Sequence, residues 1–315
     1  MFTYSLNRLL QLVVTTLGVV TLVFFTLRLI PGDAASAMAG DTLSGEALER
    51  LRDQMGLNKP IWIQYVEYLQ NLVSLNFGET ITTGLSIGGL LAKAIPITLS
   101  IAVATIVLTI IIAIPLGTLA AYLAHKGRKT LDNIITGSAM LVDLMPSFWT
   151  ALVFLLLFSL TLGLFPASGS VSLDDPIDFL HRIALPVLVL SVTQIATMAR
   201  ITRTAVLEIL SEDYIRTARS MGWSELRVLF RHALKNAALP IVTVVGLSFG
   251  SLLNGTIIVE FIFTIPGLGS LLVNGINSRD YALVQTLIVF YALFFVSVNF
   301  FTDLVYKRLD PRVQF

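Results

Sequence analysis

Few side chains in this chain stand where they could do covalent chemistry. Its three histidines, His125, His181 and His232, are far apart and offer no HExxH or related ligand spacing. Cysteine is absent, which removes disulfides, a thiol nucleophile and thiolate metal sites. No GxxxxGK(S/T) phosphate loop occurs, and no triad or metal set can be assembled, so no cofactor is expected on this chain. What remains are charged and polar groups in unusual places. Asp143 lies within an apolar run, about 14 Å in from Ile134 at 1.5 Å per residue, where an ionisable group is expensive and points by default to function. The alternative is a packing carboxyl satisfied by a neighbouring Ser or Thr. Gln194 and Asn254 are weaker candidates of the same kind, with hydrogen bonding between helices as their ordinary role. The other feature is SEDYIRTARSMGWSELRVLFRHALKNAALP, Ser211 to Pro240. It carries Arg216, Arg219, Arg227, Arg231, Lys235 and His232, with Arg203 just upstream.

Those groups must be positioned by membrane spans. The composition is 55% hydrophobic and 13% charged, with a mean hydropathy of +0.83. A soluble domain carries nearly twice that charged fraction, so the chain is expected to be all-α and polytopic. Apolar runs predict six spans, at Leu9–Ile30, Thr98–Ala124, Ile134–Leu164 (interrupted by Pro146), Ile183–Ala199, Ile241–Phe261 and Ala282–Leu304. The first run is too long for the apolar region of a signal peptide. Residues 31–96 form a polar insert with two short helices. Ser44 caps the first, which ends at Gly56, and Pro60 opens the second. Ile61, Tyr65, Tyr68, Leu69 and Leu72 share one face of that second helix, the pattern of packing against the protein or the membrane surface. Residues 97–305 make up the five remaining spans and 306–315 a basic tail. Fourteen of the 21 Lys and Arg residues lie at the termini and in the loops after spans two and four. That bias predicts cytoplasmic termini, with the insert and the acidic loop at Asp174, Asp175 and Asp178 facing outward. The loop from Thr264 to Tyr281 is Gly-rich. Glu260, about 30 Å along the fifth helix from Pro240, is expected at the outer surface, anchoring the loop that holds Gly267 and Gly269 or meeting a partner.

Within 203–239 the pattern is helix, turn, helix. Ser211 is a candidate cap for a helix with Glu212 and Asp213 in its first turn, where negative charge suits the dipole. Gly222 supplies a left-handed residue to end it, and Ser224 can cap a second helix that runs into span five. Arginines facing anionic headgroups would account for the charge alone.

DYIRTARSMG followed by RHALKNAALPIVT resembles the cytoplasmic loop of ABC importer permeases of the dipeptide, oligopeptide and nickel type. The resemblance covers the chain: RLIPGD (Arg28 to Asp33), GLNKPIWIQYVEYLQNL (Gly56 to Leu72), LNFGET (Leu75 to Thr80) and EFIFTIPGLGSLL near span five are also similar to that family. The general importer motif begins Glu-Ala-Ala; here that frame reads Arg216-Thr217-Ala218, the variation of the peptide branch. The resemblance implies the six-span type I importer permease fold with an external domain after span one, in a bacterial inner membrane. It also implies a second homologous permease, two ATP-binding subunits carrying ATP and Mg, an external substrate-binding protein, a lipid bilayer and no nucleic acid. Hydrolysis belongs to the partner subunits. The first short helix, with Asp213, Tyr214, Arg216, Thr217, Ala218, Arg219, Gly222 and Arg227, would be the ATPase-coupling element. Arg216, Arg219 and Arg227 would make contacts, with Tyr214 and Ala218 on the packed face. The rival reading is an ion-gradient-driven transporter or channel with Asp143 as its coupling carboxylate; an intramembrane hydrolase lacks a paired nucleophile and base.

Overall fold

The computed structural model describes residues 2–29, 35–36, 45–54, 56–169, 171 and 174–309. The Ser44 cap, the Pro31–Asp33 end of span one and the tail beyond 309 lie outside them. The elements are α1 (Phe2–Leu29), α2 (Glu46–Gln54), α3 (Ile61–Val73), α4 (Ile87–His125), α5 (Lys129–Asp143) and α6 (Ser147–Phe154), then α7 (Pro176–Leu210), α8 (Asp213–Ser220), α9 (Glu225–Arg227), α10 (Ala238–Ile262), α11 (Leu268–Asn277) and α12 (Tyr281–Leu309). Among the described residues the only β pairing is an isolated bridge between Glu79 and Ser86.

Five helices are long and apolar enough to cross a membrane: α1, α4, α7, α10 and α12. The third expected span is not one rod. α5 and α6 meet at 98° and supply the sixth crossing when counted together. Pro146 is the reason: it has no N–H to donate and it drives the preceding residue out of helical geometry. Its own ψ of 137° is extended, and the next helix starts immediately after it. α6 then continues into a π-helical turn, Leu155–Thr161.

The chain packs as two compact units. One comprises Met1–Thr98 and Pro266–Ser297. Its core joins Ile87, Leu91 and Ala94 of α4 to Leu268 of α11 and Leu283 and Leu287 of α12, with Phe77 set edge-on against Phe290. Asp280 is fully buried here; its carboxylate caps α12 at the Leu283 N–H (3.1 Å) and also accepts from the Ile81 N–H (2.8 Å). The insert expected at 31–96 is thus part of a body that also holds the loop after α10. That loop, expected to be irregular, contains the ten-residue α11.

The other unit comprises Leu99–Ile265 and Val298–Phe315. α4 crosses α7 so closely at Gly117 that a Cβ there would lie 2.4 Å from the Ala199 carbonyl oxygen. Only glycine fits at that backbone approach. α7 spans 35 residues, twice the run expected from hydropathy. Its start is at Pro176, not at Ile183, and takes in part of the expected acidic loop: the Asp175 carboxylate accepts from the Ile177 and Asp178 N–H groups, and Pro occupies the first turn.

Candidate coupling loop and intramembrane ion pairs

α8 is only eight residues long, and its value lies in what it packs on. Ile215 and Ala218 point inward into a cluster with Ala205, Val206 and Leu210 of α7, Ala121 of α4, and Val228, Leu229, Ala233, Ala237 and Ile241. That cluster draws α8, the end of α7, the end of α4 and the start of α10 into one apolar body. The opposite face of α8 presents Asp213, Arg216 and Thr217 to solvent. Tyr214, expected on the packed face, instead stands 43% exposed, its hydroxyl accepting from Asn236 Nδ2 at 2.8 Å. Tyr214 lies at the edge of the packed stripe, about 40° from Ala218 and 100° from Ile215, where its ring is only partly covered.

The expected cap at Ser211 is corrected. Ser211 closes α7, and its hydroxyl donates back to the Leu207 carbonyl at 3.0 Å. Glu212 takes the cap position of α8 in extended geometry, without a side-chain bond. Gly222 has φ +81°, the left-handed turn expected of it. Trp223 follows and packs its ring on His232, centroids 4.4 Å apart. α9 starts after Ser224, whose side chain makes no cap bond, and runs through a π-helical turn (Val228–Ala233) and Leu234–Asn236 into α10. Arg227 is exposed on it.

Arg219 is not a free contact. Its guanidinium reaches Glu225 at 3.5 Å, and Lys126, in the turn after α4, reaches the same carboxylate at 2.9 Å. The Lys126 hydrogen bond, helped by the Arg219 charge, holds the Glu225 carboxyl below its ordinary range against the opposing effect of burial. A charged clasp thus ties the α8–α9 turn to the end of α4.

Asp143 closes α5 at the bend. It accepts from Thr197 Oγ1 at 2.8 Å and pairs with Arg200 Nη2 at 2.5 Å, both on α7. A negative charge at a helix C-terminus is unfavourable by itself, and the guanidinium offsets it. Eleven residues before Asp143 on α5, Asp132, its side chain 7% exposed, receives both guanidinium nitrogens of Arg203, which lies one turn after Arg200 on α7. Such a bidentate pair fixes orientation as well as charge. Sequence reasoning placed Arg200 and Arg203 in a cytoplasmic loop and passed over Asp132. The signal was present: Asp132 and Asp143 lie three helical turns apart on one face of α5, opposite two arginines one turn apart. Gln194 donates to Ser251 Oγ on α10 at 3.1 Å, while Asn254 is exposed. Asp143, Gln194 and Asn254 are thus carried on α5, α7 and α10 respectively.

Glu260 is corrected. It has no exposed surface, and Gly267 and Gly269 are buried as well, rather than displayed on an outer surface. Helix α10 runs past Glu260 to Ile262, its end closed by the Ile265 N–H donating to the Glu260 carbonyl at 2.9 Å, and α11 follows.

The fold is that of a helical membrane protein with a short cytoplasmic-type loop helix keyed onto the ends of three spans. Residues 113–315 match the family described as binding-protein-dependent transport system inner membrane component, and residues 1–102 match its N-terminal family. A putative peptide transport system permease protein of Brucella abortus is 39% identical over 98% of both chains. The oligopeptide transport system permease protein AppB of Bacillus subtilis is 35% identical over the whole of both. The di/tripeptide transport system permease protein DppB of Pseudomonas aeruginosa is 37% identical over 100% of this chain and 99% of its own. Among solved structures, an inward-facing MetNI methionine ABC transporter chain superposes with TM-score 0.60 at 15% identity, covering 70% of this chain and 96% of that one, a likeness of fold. The chain belongs to the binding-protein-dependent ABC importer permeases, on the peptide-transport branch.

Proposed function

We propose that this permease forms half of the translocation pathway of an ATP-driven importer of short peptides, beside a second homologous permease. Two ATP-binding subunits would grip α8 from the cytoplasm, and an external binding protein would deliver the peptide. The termini lie in the cytoplasm in this reading. The observation that carries it is the division of α8 into two faces: Ile215 and Ala218 keyed into the ends of α4, α7 and α10, and Arg216 and Thr217 left outward. A push on the outward face moves the spans as one body. Peptide is the cargo because the relatives of full-length identity carry that name, and the chain itself binds no nucleotide in this scheme.

Asp143, Gln194 and Asn254 remain proposed pathway residues. Asp143 is already engaged by Arg200 and Thr197 rather than standing open to a coupling ion, which favours ATP over an ion gradient. The test is uptake of a short peptide by proteoliposomes that hold both permeases, the ATPases and the binding protein. Arg216→Glu with Thr217→Glu should leave the complex folded yet lower ATP-dependent uptake at least tenfold. Uptake that persists without ATP, or is indifferent to these charges, sinks the reading.

A further inference from the structure

α3 lies in the segment that hydropathy assigns to the aqueous side of the membrane, yet its contacts set it lower. Tyr65 Oη is 2.6 Å from Thr21 Oγ1 on α1. Thr21 is eight residues short of Leu29, the end of the apolar run, and so lies about 12 Å inside it along the axis. Phe24 stacks on Tyr68 with ring centroids 5.4 Å apart and meets Tyr65 edge-on at 5.2 Å. Arg28, nearer the end of the span, donates to Gln64 at 3.1 Å. α3 therefore runs alongside the last two to three turns of α1, at a depth the bilayer would reach.

A second face of α3 is uncovered. Trp62, Val66 and Val73, with the half-buried Leu69 between them, recur at i, i+4, i+11 and i+7. Trp62 is 69%, Val66 50% and Val73 82% exposed. The polar residues fall in a separate sector, where Glu67 pairs with Lys59 at 2.6 Å beside Gln70. The exposed apolar surface is continuous with that of α1, because Phe25, itself 40% exposed, stacks on Tyr65. One face against a span, one apolar face open beside it and one polar face is the pattern of a helix lying in the membrane interface with a tryptophan at headgroup level.

We propose that α3 is a lipid-binding element, with Trp62, Val66 and Val73 sunk among the headgroups and upper acyl chains of the leaflet that receives the C-terminal end of α1. The partner is the bilayer itself, and the insert is anchored in it rather than held wholly in water. The proposal rests on the membrane-spanning reading of α1 and not on the coupling scheme.

This chain has no cysteine of its own, so an introduced one is its single labelling site, with the other subunits supplied in cysteine-free form. Val66→Cys, Val73→Cys, Glu67→Cys and Leu17→Cys are each labelled with a nitroxide in the assembled importer in phosphatidylcholine vesicles. Collision with oxygen is compared with collision with a water-soluble nickel chelate. Labels at 66 and 73 should favour oxygen several-fold, as the α1 label at 17 does, and the label at 67 should favour the chelate. Preference for the chelate at 66 and 73 overturns the proposal, and so does shielding from both reagents, which would mean a protein partner. If position 17 also reports water, the spanning reading of α1 falls with it. As a check that leaves α3 unaltered, the Trp62 fluorescence, taken as the difference between the importer with Trp149→Phe and Trp223→Phe and the same importer with Trp62→Phe added, should be quenched at least twofold by lipids brominated high on the acyl chain; no quenching overturns the proposal.

Discussion

Asp280 shows how much a single carboxylate can hold. It satisfies the Leu283 N–H as the cap of α12 and, from the same buried position, the Ile81 N–H far away in sequence. Asp280→Ala strands two donors, a loss of about 2–4 kcal/mol when a cap and an unsatisfied buried group are combined. Asp280→Asn keeps one acceptor and should recover about half, read as the midpoint of thermal unfolding in detergent. Glu225 makes a pH-dependent statement at the same scale. Its folded pKa is depressed below the ordinary 4.5, so its clasp with Lys126 contributes fully above that value and is lost as pH falls through the lowered one. Hydrogen exchange of α8 and α9 should therefore be flat from pH 8 to about 5, after correction for intrinsic rates, and rise only below the ordinary carboxylate range. Lys126→Gln should remove most of that acid step. An unchanged acid step in the variant would assign it to another carboxylate.

At the scale of elements, α5 and α7 are joined by charge where lipid-exposed spans are joined by small residues. The Arg203–Asp132 pair is largely buried, so breaking it leaves an uncompensated charge, a loss of about 3 kcal/mol, whereas Arg200–Asp143, about a third exposed, is worth less. Asp132→Asn should lower the yield of folded protein sharply, and the exchange Asp132→Arg with Arg203→Asp should restore part of it. If the double variant is as poor as the product of Asp132→Arg and Arg203→Asp made singly, the two residues do not act as a pair. This region also marks the limit of what the sequence could tell. Hydropathy located five spans because twenty apolar residues are a strong signal, and Pro146 announced the break in the sixth. Gly222 announced the turn after α8, since few other residues adopt its φ. The far half of α7 was hidden because a helix that carries Arg200 and Arg203 looks like a loop until their acidic partners are known. Glu260 misled for the opposite reason: distance along a helix predicts depth but not which side of the helix is covered. The π-helical turn at Val228–Ala233 has no composition of its own and was not visible at all.

At the scale of the molecule, the two units have cores of different origin. The core around α8 gathers the ends of three spans, while the other seats α11 against the beginnings of α4 and α12. α4, at 39 residues about 58 Å long, takes part in both units, as does α12. Continuous helices transmit displacement, yet each core keeps its own packing energy, so a defect in one need not melt the other. Leu287, with no exposed surface, is central to the core that holds α11. Leu287→Ala should destabilise by about 2–4 kcal/mol through the cavity it leaves. If the cores are energetically separate, hydrogen exchange in the variant accelerates across α11 and the start of α12 while α8 and α9 keep their protection. Val206→Ala, in the other core, should show the reverse. Acceleration of both regions by either variant would mean one cooperative body, in which a push on α8 is felt at α11 without any hinge between them.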